Sequence, residues 1–245
     1  MKYFFFDIDG TLTDINTGKI VESGKYTLKK LEEQGHFVAI ATGRAWYKTK
    51  AVAEEMGIHN IVSNGGAALV INDRLIRNAP LDKEKALRLI HEAEEKKYGV
   101  LIAFEDSKKV FMKNQRFLQQ VGKRKEPTEY LYRPDLDYAD FENIYKIYIS
   151  VAEKEENNLS LFNSLGHVRF VEDYLTYQHD QKDQGIREMV FRMNGDIRDV
   201  VVFGDGENDM IMFRKEWTSI AMGNGYPPLL RKADYITDAA EEGGI

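Results

Sequence analysis

Apolar runs of strand length alternate with segments of helical periodicity at both ends of the chain. In the N-terminal part, strand-like runs lie at 3–8, 36–41 and 59–63, and helical stretches lie near 23–34 and 44–56. The pattern returns later, with a helix near 183–194, an apolar run at 200–204, a helix from about 207, and strand-like runs at 218–222 and 234–237. Alternation of this kind indicates βαβ units, in which the strands form a parallel sheet. We therefore predict an α/β fold.

The middle of the chain has a different pattern. It predicts a hairpin over 67–77 that turns at Asn72-Asp73, a helix over 83–97, a hairpin around 106–108, a strand at 144–152, a helix at 154–165 and strands near 167–178. This order of elements is typical of an α+β domain. We predict that residues 80–179 form an inserted α+β domain, and that residues 1–79 and 180–245 form one discontinuous core domain.

The composition narrows the classes of protein that fit. The chain has 245 residues, of which 43% are hydrophobic and 30% are charged, and it has no cysteine. Disulfides and thiolate metal sites are therefore excluded. The longest apolar runs are strand-sized, so we expect neither export nor membrane insertion, and the predicted location is the cytoplasm.

Two carboxylates follow the first apolar run in the segment Asp7-Ile8-Asp9-Gly10-Thr11. Residues two apart on a strand point to the same side, so Asp7 and Asp9 are expected to converge at the sheet edge. As chemistry, Asp7 would attack phosphorus, and Asp9 would protonate the departing alcohol and then activate water. Mg²⁺ bridging the carboxylate and the phosphate oxygens would supply the neutralising charge. The alternative is a solvated acidic turn.

A second motif, Thr42-Gly43-Arg44, closes the next strand-like run. A hydroxyl and a glycine amide at a helix N-terminus form a cradle for phosphate oxygens, and Arg44 would bind a second anionic group of the substrate. The alternatives are a threonine N-cap and a surface ion pair of Arg44.

The third and fourth motifs lie in the C-terminal part of the core. Lys182 stands at the start of a predicted helix, where its ammonium would offset charge on the nucleophile and on the transferring phosphoryl group. In Gly204-Asp205-Gly206-Glu207-Asn208-Asp209, the two aspartates are four residues apart and would share a helix face that binds magnesium, while Asn208 would bind the phosphate. The alternative is a capped helix start.

In this order, the four motifs resemble those of the haloacid dehalogenase-like superfamily, in particular its Cof-type phosphatases with a type II (IIB) cap. The resemblance implies a Rossmann-like core, an inserted cap that sets specificity, and a magnesium-dependent phosphatase. Such enzymes act on small phosphorylated metabolites, often sugar phosphates, through an aspartyl-phosphate.

The resemblance also implies roles for individual residues. The nucleophile falls on Asp7, and the acid/base falls on Asp9, whose backbone carbonyl also binds the metal. The metal carboxylates fall on Asp7 and Asp205, with Asp209 as an indirect or water-mediated metal contact. Phosphate ligands fall on Thr42, Gly43, Lys182 and Asn208. Asp183 stands where relatives commonly have glycine, and its carboxylate is available to pair with Lys182.

Charge is unevenly distributed along the chain. Residues 96–133 hold ten Lys or Arg against four Asp or Glu, within a protein of net charge −6. Because the whole protein is acidic, we expect no nucleic-acid partner, and we expect the basic segment to attract anionic substrates. Two alternatives to a phosphatase stay open: a phosphomutase or phosphotransferase, and a non-catalytic regulator that binds a phosphorylated ligand.

Overall fold

The computed structural model describes all residues from 1 to 245, and they form two compact units. Residues 1–78 and 180–245 form the first unit, and residues 79–179 form the second. None of the helices combines the length and the apolar character that crossing a membrane requires.

The chain contains fourteen strands and six α-helices. The strands are β1 (Tyr3–Phe6), β2 (Phe37–Ala41), β3 (Ile61–Ser63), β4 (Ala68–Ile71), β5 (Arg74–Asn78), β6 (Val100–Ala103), β7 (Lys109–Met112), β8 (Glu129–Tyr132), β9 (Lys146–Ile149), β10 (His167–Val171), β11 (Tyr174–Tyr177), β12 (Val200–Gly204), β13 (Thr218–Ala221) and β14 (Tyr235–Ile236). The helices are α1 (Glu22–Glu33), α2 (Trp46–Met56), α3 (Lys83–Glu95), α4 (Arg116–Gln120), α5 (Lys182–Arg192) and α6 (Pro227–Lys232).

The first unit is built on an eight-stranded sheet in the order β14-β13-β12-β1-β2-β3-β4-β5. The six strands from β14 to β3 are parallel, whereas β4 and β5 are antiparallel additions at one edge. The strand order reverses beside β1, because β2 lies on one side of it and β12 on the other. Open α/β sheets bind ligands beyond the carboxyl ends of the strands at such a reversal.

The central strands are apolar throughout because both faces of the sheet are covered. Phe5 packs in one hydrophobic cluster with Ile186 and Met189 of α5. Phe6, whose side chain points the other way, packs in a second cluster with Leu28 of α1 and Ala53 of α2. The prediction of a parallel sheet built from βαβ units is confirmed.

The predicted hairpin over 67–77 is present as β4 and β5. Asn72 and Asp73 form its turn with φ values of 49° and 62°. Two consecutive residues with positive φ are the requirement of a type I′ turn, and Asn and Asp tolerate that region better than other residues with a Cβ. The hairpin extends the sheet of the first unit.

The second unit has a six-stranded sheet in the order β10-β11-β9-β6-β7-β8. Its pairings are antiparallel except for β7 with β8. Ile102 belongs to a cluster that includes Leu89 and Ile90 of α3. Leu101 belongs to a cluster on the other face with Phe117 of α4. This unit is α+β, as the sequence predicts.

Two predicted helices are wrong. Instead of a helix over 154–165, a 3₁₀ helix spans Glu153–Asn158 and is followed by turns. Acids crowd this segment, and Asn157 and Asn158 are poor helix formers. Instead of a helix from about 207, a 3₁₀ turn spans Glu207–Asp209, because Asp209 bonds back to the preceding backbone.

Candidate active site

The pairing of β1 with β12 places the first and last acidic motifs next to each other. Phe6 is in register with Phe203, and the amide of Asp7 donates to the carbonyl of Phe203 at 3.0 Å. Asp7, directly after β1, therefore lies beside Gly204, the last residue of β12, and Asp205 follows Gly204. Two motifs almost two hundred residues apart therefore meet at the carboxyl edge of one sheet.

Asp209 joins them through the 3₁₀ turn. Its Oδ2 accepts hydrogen bonds from the amides of Asp205, at 3.0 Å, and Gly206, at 2.9 Å. The side chain is fully buried. Carboxylate oxygens of Asp7, Asp205 and Asp209 lie within 4.8 Å of one another. We call these three residues the acidic cluster.

Lys182 is hydrogen-bonded to two members of the acidic cluster. Its Nζ donates to Oδ1 of Asp7 at 2.7 Å and to Oδ1 of Asp209 at 2.6 Å, and its side chain is only 2% exposed. Burial favours the neutral amine, but attraction to Asp209 and Asp7 outweighs it and raises the pKa of Lys182 above its ordinary value. The lysine is therefore a fixed positive charge.

The first turn of α5, which carries Lys182, is held by close backbone packing. The amide of Gln181 donates to the carbonyl of Gly65 at 2.8 Å. A Cβ on Gly66 would lie 2.2 Å from the carbonyl oxygen of Gln181, and a Cβ on Gly185 would lie 2.5 Å from Val62. Glycine is thus required at both positions. The segment Asn64-Gly65-Gly66 therefore fixes the start of the helix.

Charge in the acidic cluster is only partly balanced. Burial, together with repulsion from Asp209, raises the pKa of Asp7 to about 8, although Lys182 opposes the shift. Burial and Asp209 also raise the pKa of Asp205 to about 7. Three carboxylates face one ammonium, a balance of −2 when all are ionised. Closely spaced carboxylate oxygens with this charge fit a hard divalent cation.

Asp183 does not pair with Lys182. Its Oδ2 accepts from Nε and Nη2 of Arg214 at 3.0 and 2.7 Å. The pairing of Asp183 with Lys182, which the sequence leaves open, is not formed, because the guanidinium of Arg214 binds Asp183 instead.

Asp9 and Arg44 form an ion pair in which both carboxylate oxygens are bound. Nε of Arg44 donates to Oδ2 at 2.9 Å, and Nη2 donates to Oδ1. The Asp9 side chain is 53% exposed, in contrast to the buried Asp7. Both oxygens of the Asp9 carboxylate thus accept hydrogen bonds from one guanidinium, in the paired geometry that arginine and carboxylate groups favour.

The remaining predicted ligands occupy neighbouring loops. Thr42 follows β2, is almost fully buried, and its hydroxyl accepts from the amide of Arg44 at 3.1 Å. It is not the N-cap of α2, which is Ala45. Gly43 is half-buried beside it, and Asn208 is exposed, with its Oδ1 over Gly206.

Sequence reasoning assigned no role to Thr11, whose hydroxyl donates to Oδ1 of Asp205 at 3.0 Å. It also overlooked the loop at 223–226, which contacts the turns after β1 and β12. Asn224 donates to the carbonyl of Gly10 at 3.0 Å. The signal available in the sequence was the segment Gly223-Asn224-Gly225 directly after a predicted strand.

A buried acidic cluster, crossed by a lysine at the reversal point of a parallel sheet, defines a class of α/β enzymes that act on phosphate groups. The chain belongs to the haloacid dehalogenase-like hydrolases, whose family model matches residues 4–245. A protein of Bacillus subtilis (strain 168) with the name "Putative phosphatase YkrA" is 36% identical over 248 residues, which span 100% of this chain and 95% of that protein. The chain is a phosphatase of this family.

Solved structures share the fold. The haloacid dehalogenase subclass IIB sugar phosphatase BT4131 has a TM-score of 0.79 at 22% identity, with 100% of this chain and 96% of that one covered. BT1666 from Bacteroides thetaiotaomicron, a phosphatase of the same superfamily, has a TM-score of 0.84 at 22% identity, with 100% and 92% covered. The resemblance based on the motifs and the predicted fold class are confirmed.

Proposed function

We propose that this phosphatase is a magnesium-dependent phosphomonoester hydrolase, which acts on small phosphorylated metabolites, sugar phosphates in particular, through an aspartyl-phosphate intermediate. The observation that carries the proposal is the environment of Asp7. It is a buried carboxylate beside a fixed ammonium, and it shares an oxygen-rich volume with Asp205 and Asp209. An anionic nucleophile needs such neutralising charge before it can approach a phosphate dianion.

Asp7, Asp205 and the backbone carbonyl of Asp9 are the proposed direct ligands of Mg²⁺. The bound ion supplies positive charge that offsets repulsion between Asp7 and the phosphate oxygens. Asp209 has one oxygen on Lys182 and the other on two backbone amides. We therefore assign it to orienting the cluster or binding a metal-bound water, with Asp7 and Asp205 as the direct carboxylate ligands.

In the first half-reaction, an oxygen of Asp7 forms a bond to phosphorus while the bond from phosphorus to the ester oxygen breaks. Lys182 holds the other side of Asp7 and orients it. Asp9, in its protonated form, gives its proton to the leaving oxygen, which departs as the alcohol. Since Asp9 is ion-paired with Arg44, this step requires that the pair opens and that Asp9 takes up a proton.

In the second half-reaction, Asp9 is again the carboxylate and takes a proton from water. The water oxygen bonds to phosphorus, and the bond between phosphorus and the Asp7 oxygen breaks. Inorganic phosphate leaves and Asp7 is regenerated. Thr42, Gly43 and Asn208 are proposed to bind phosphate oxygens, and Arg44 is proposed to bind a second anionic group of the substrate once it leaves Asp9.

The second unit, residues 79–179, is proposed as the domain that selects the substrate. It has its own sheet and hydrophobic core, so its surface can vary without disturbing the acidic cluster. Sugar phosphates are proposed because a protein of the same fold, BT4131, is named a sugar phosphatase.

The experiment is a screen of phosphorylated metabolites with Mg²⁺ and with EDTA, in which inorganic phosphate and phosphorylated acceptor are both measured. We expect phosphate release that requires Mg²⁺ and is fastest with sugar phosphates. Acceptor phosphorylation without phosphate release would instead identify a phosphotransferase. Acid quenching with ³²P-labelled substrate should leave label on the protein that hydroxylamine removes, and its absence on a rapid timescale would reject the aspartyl-phosphate.

A further inference from the structure

The loop at 223–226, which follows β13, donates hydrogen bonds to the two turns that follow β1 and β12. Nδ2 of Asn224 donates to the carbonyl of Gly10 at 3.0 Å. Two residues later, the amide of Tyr226 donates to the carbonyl of Asp205 at 2.7 Å. One short loop therefore connects the turn after β1 with the turn after β12.

The Gly10 contact leads directly to the carboxylate of Asp205. Gly10 has φ of +78°, and a Cβ there would lie 2.2 Å from Oδ2 of Asp205, so its backbone lies against that carboxylate. The next residue, Thr11, donates its hydroxyl to Oδ1 of the same group at 3.0 Å. The Gly10-Thr11 peptide, whose carbonyl Asn224 binds, thus sets where the Asp205 oxygens lie.

Asn224 is itself held at both ends of its amide. While its nitrogen donates to Gly10, its oxygen accepts from the amide of Ala240 at 3.3 Å. A donor and an acceptor on one planar group are needed for this pair of contacts, which alanine cannot supply.

We infer that the 223–226 loop is a positioning element for metal binding, which acts through Asn224 and the amide of Tyr226. It holds the two turns so that the Asp205 oxygens face the same volume as those of Asp7 and Asp209. The inference rests on the proposed function insofar as the acidic cluster binds Mg²⁺. Groups that orient metal ligands typically contribute about 10–100-fold to metal affinity.

The chain offers a matched control for Asn224. Asn60 makes the same pair of contacts: Nδ2 donates to the carbonyl of Val38 at 3.2 Å, and Oδ1 accepts from the amide of Asn72 at 3.0 Å. It lies in the same unit, just before the amino end of β3, whereas the acidic cluster lies at the carboxyl edge. Asn60→Ala therefore removes an equivalent bridge away from the site.

The second contact can be tested with two variants of one residue. Tyr226 has φ of −54°, which proline can adopt, and Tyr226→Pro deletes the amide that bonds Asp205. Tyr226→Ala removes the same side chain and keeps the amide. The comparison isolates a single hydrogen bond and remains informative even if Asn224→Ala does not fold.

The experiment is calorimetric titration of the substrate-free protein with Mg²⁺, with melting temperature as the measure of folding. We expect Asn224→Ala and Tyr226→Pro to raise the Kd for Mg²⁺ about 10–100-fold, and kcat to recover at saturating Mg²⁺. Asn60→Ala and Tyr226→Ala should keep the wild-type Kd, whatever their melting temperatures.

Two results would overturn the inference and leave the proposed function standing. One is wild-type Mg²⁺ affinity in both Asn224→Ala and Tyr226→Pro, and the other is an equal loss of Mg²⁺ affinity in Asn60→Ala. If wild-type protein itself binds no divalent cation, the metal requirement of the proposed function fails, and the inference fails with it. Hydrogen exchange that shows a globally unfolded Tyr226→Pro would leave Asn224→Ala and its Asn60 control to decide.

Discussion

Arg214 donates two hydrogen bonds to one carboxylate oxygen of Asp183, so the partner of Asp183 is Arg214 and not the adjacent Lys182. The carboxylate of Asp183 is 2% exposed, whereas Arg214 is 38% exposed. Lys182 is left with Asp7 and Asp209 as its partners. Two adjacent residues of opposite charge therefore have separate counter-ions, and Lys182 keeps its contact with Asp7.

Arg214→Met should lower both stability and turnover, because it leaves a buried carboxylate beside Lys182 without its partner. We expect a loss of about 1–3 kcal/mol in the free energy of unfolding, measured in urea, and a lower kcat. The double variant Asp183→Asn/Arg214→Met should recover kcat, since the amide competes only weakly for Lys182. A double variant as slow as the single one would show that Asp183 is not the cause.

Asp7→Asn should abolish turnover and increase the stability of the metal-free protein at pH 8. Burial and Asp209 disfavour the ionised form of Asp7, as its raised pKa of about 8 shows, and asparagine has no charge to bury. Turnover is measured as phosphate release with Mg²⁺, and the stability of the metal-free protein is measured by thermal melting in EDTA. Residual hydrolysis in this variant would remove Asp7 as the nucleophile.

The pH dependence of stability should differ between the metal-free and the Mg²⁺-bound protein. Burial raises the pKa of Asp7 from 3.8 to about 8, so between these values the folded state binds a proton that the unfolded state releases. The free energy of unfolding of the metal-free protein should therefore fall as pH rises through this window. Asp205, with a pKa of about 7, acts in the same direction.

Protons and Mg²⁺ compete for these oxygens, so the increase in melting temperature caused by Mg²⁺ should be larger at pH 8.5 than at pH 6. Thermal melts across that range, with Mg²⁺ and with EDTA, test both trends. A Mg²⁺ effect that is equal at the two pH values would contradict the assignment of Asp7 and Asp205 as metal ligands.

Asp9→Asn should slow hydrolysis by about 10²–10⁴-fold, the typical contribution of a general acid–base. The loss should depend on the leaving group, because an alkyl phosphate needs protonation whereas p-nitrophenyl phosphate departs as a stable anion. With the aryl ester, only the second half-reaction should be slow, so a burst of nitrophenol should precede steady turnover. Equal losses without a burst would indicate that Asp9 acts mainly through its contact with Arg44.

Much of the site follows from sequence because parallel strands end at a common edge. Asp7 and Asp205 are each placed by an apolar strand, and strand order brings them together. Asp209 is positioned by a hydrogen bond that its Oδ2 accepts from the amide of Asp205. The helix predicted from the four-residue spacing does not include this contact. The sequence places Asp183 next to Lys182, and only the folded structure shows that Arg214 binds Asp183.

The contact between Asn224 and Gly10 joins residues 214 positions apart. No local pattern of charge or hydrophobicity marks such a pair, and an asparagine between two glycines indicates only a turn. Sequence therefore predicts the groups that the strands present directly, and it misses the loops that hold those groups in place.

The basic segment at 96–133 predicts a dependence of substrate capture on salt. Lys123 and Lys125 are exposed within it, so their charges act through solvent and are screened by salt. Lys123→Glu/Lys125→Glu should lower kcat/KM at low salt by about tenfold, at the lower end of steering effects, and leave kcat unchanged. Lys19→Glu/Lys29→Glu makes the same change in net charge at exposed positions of the first unit and should have a smaller effect. Equal effects of the two double variants would show that net charge, and not this segment, governs substrate capture. A wild-type kcat/KM that is independent of salt would exclude electrostatic steering.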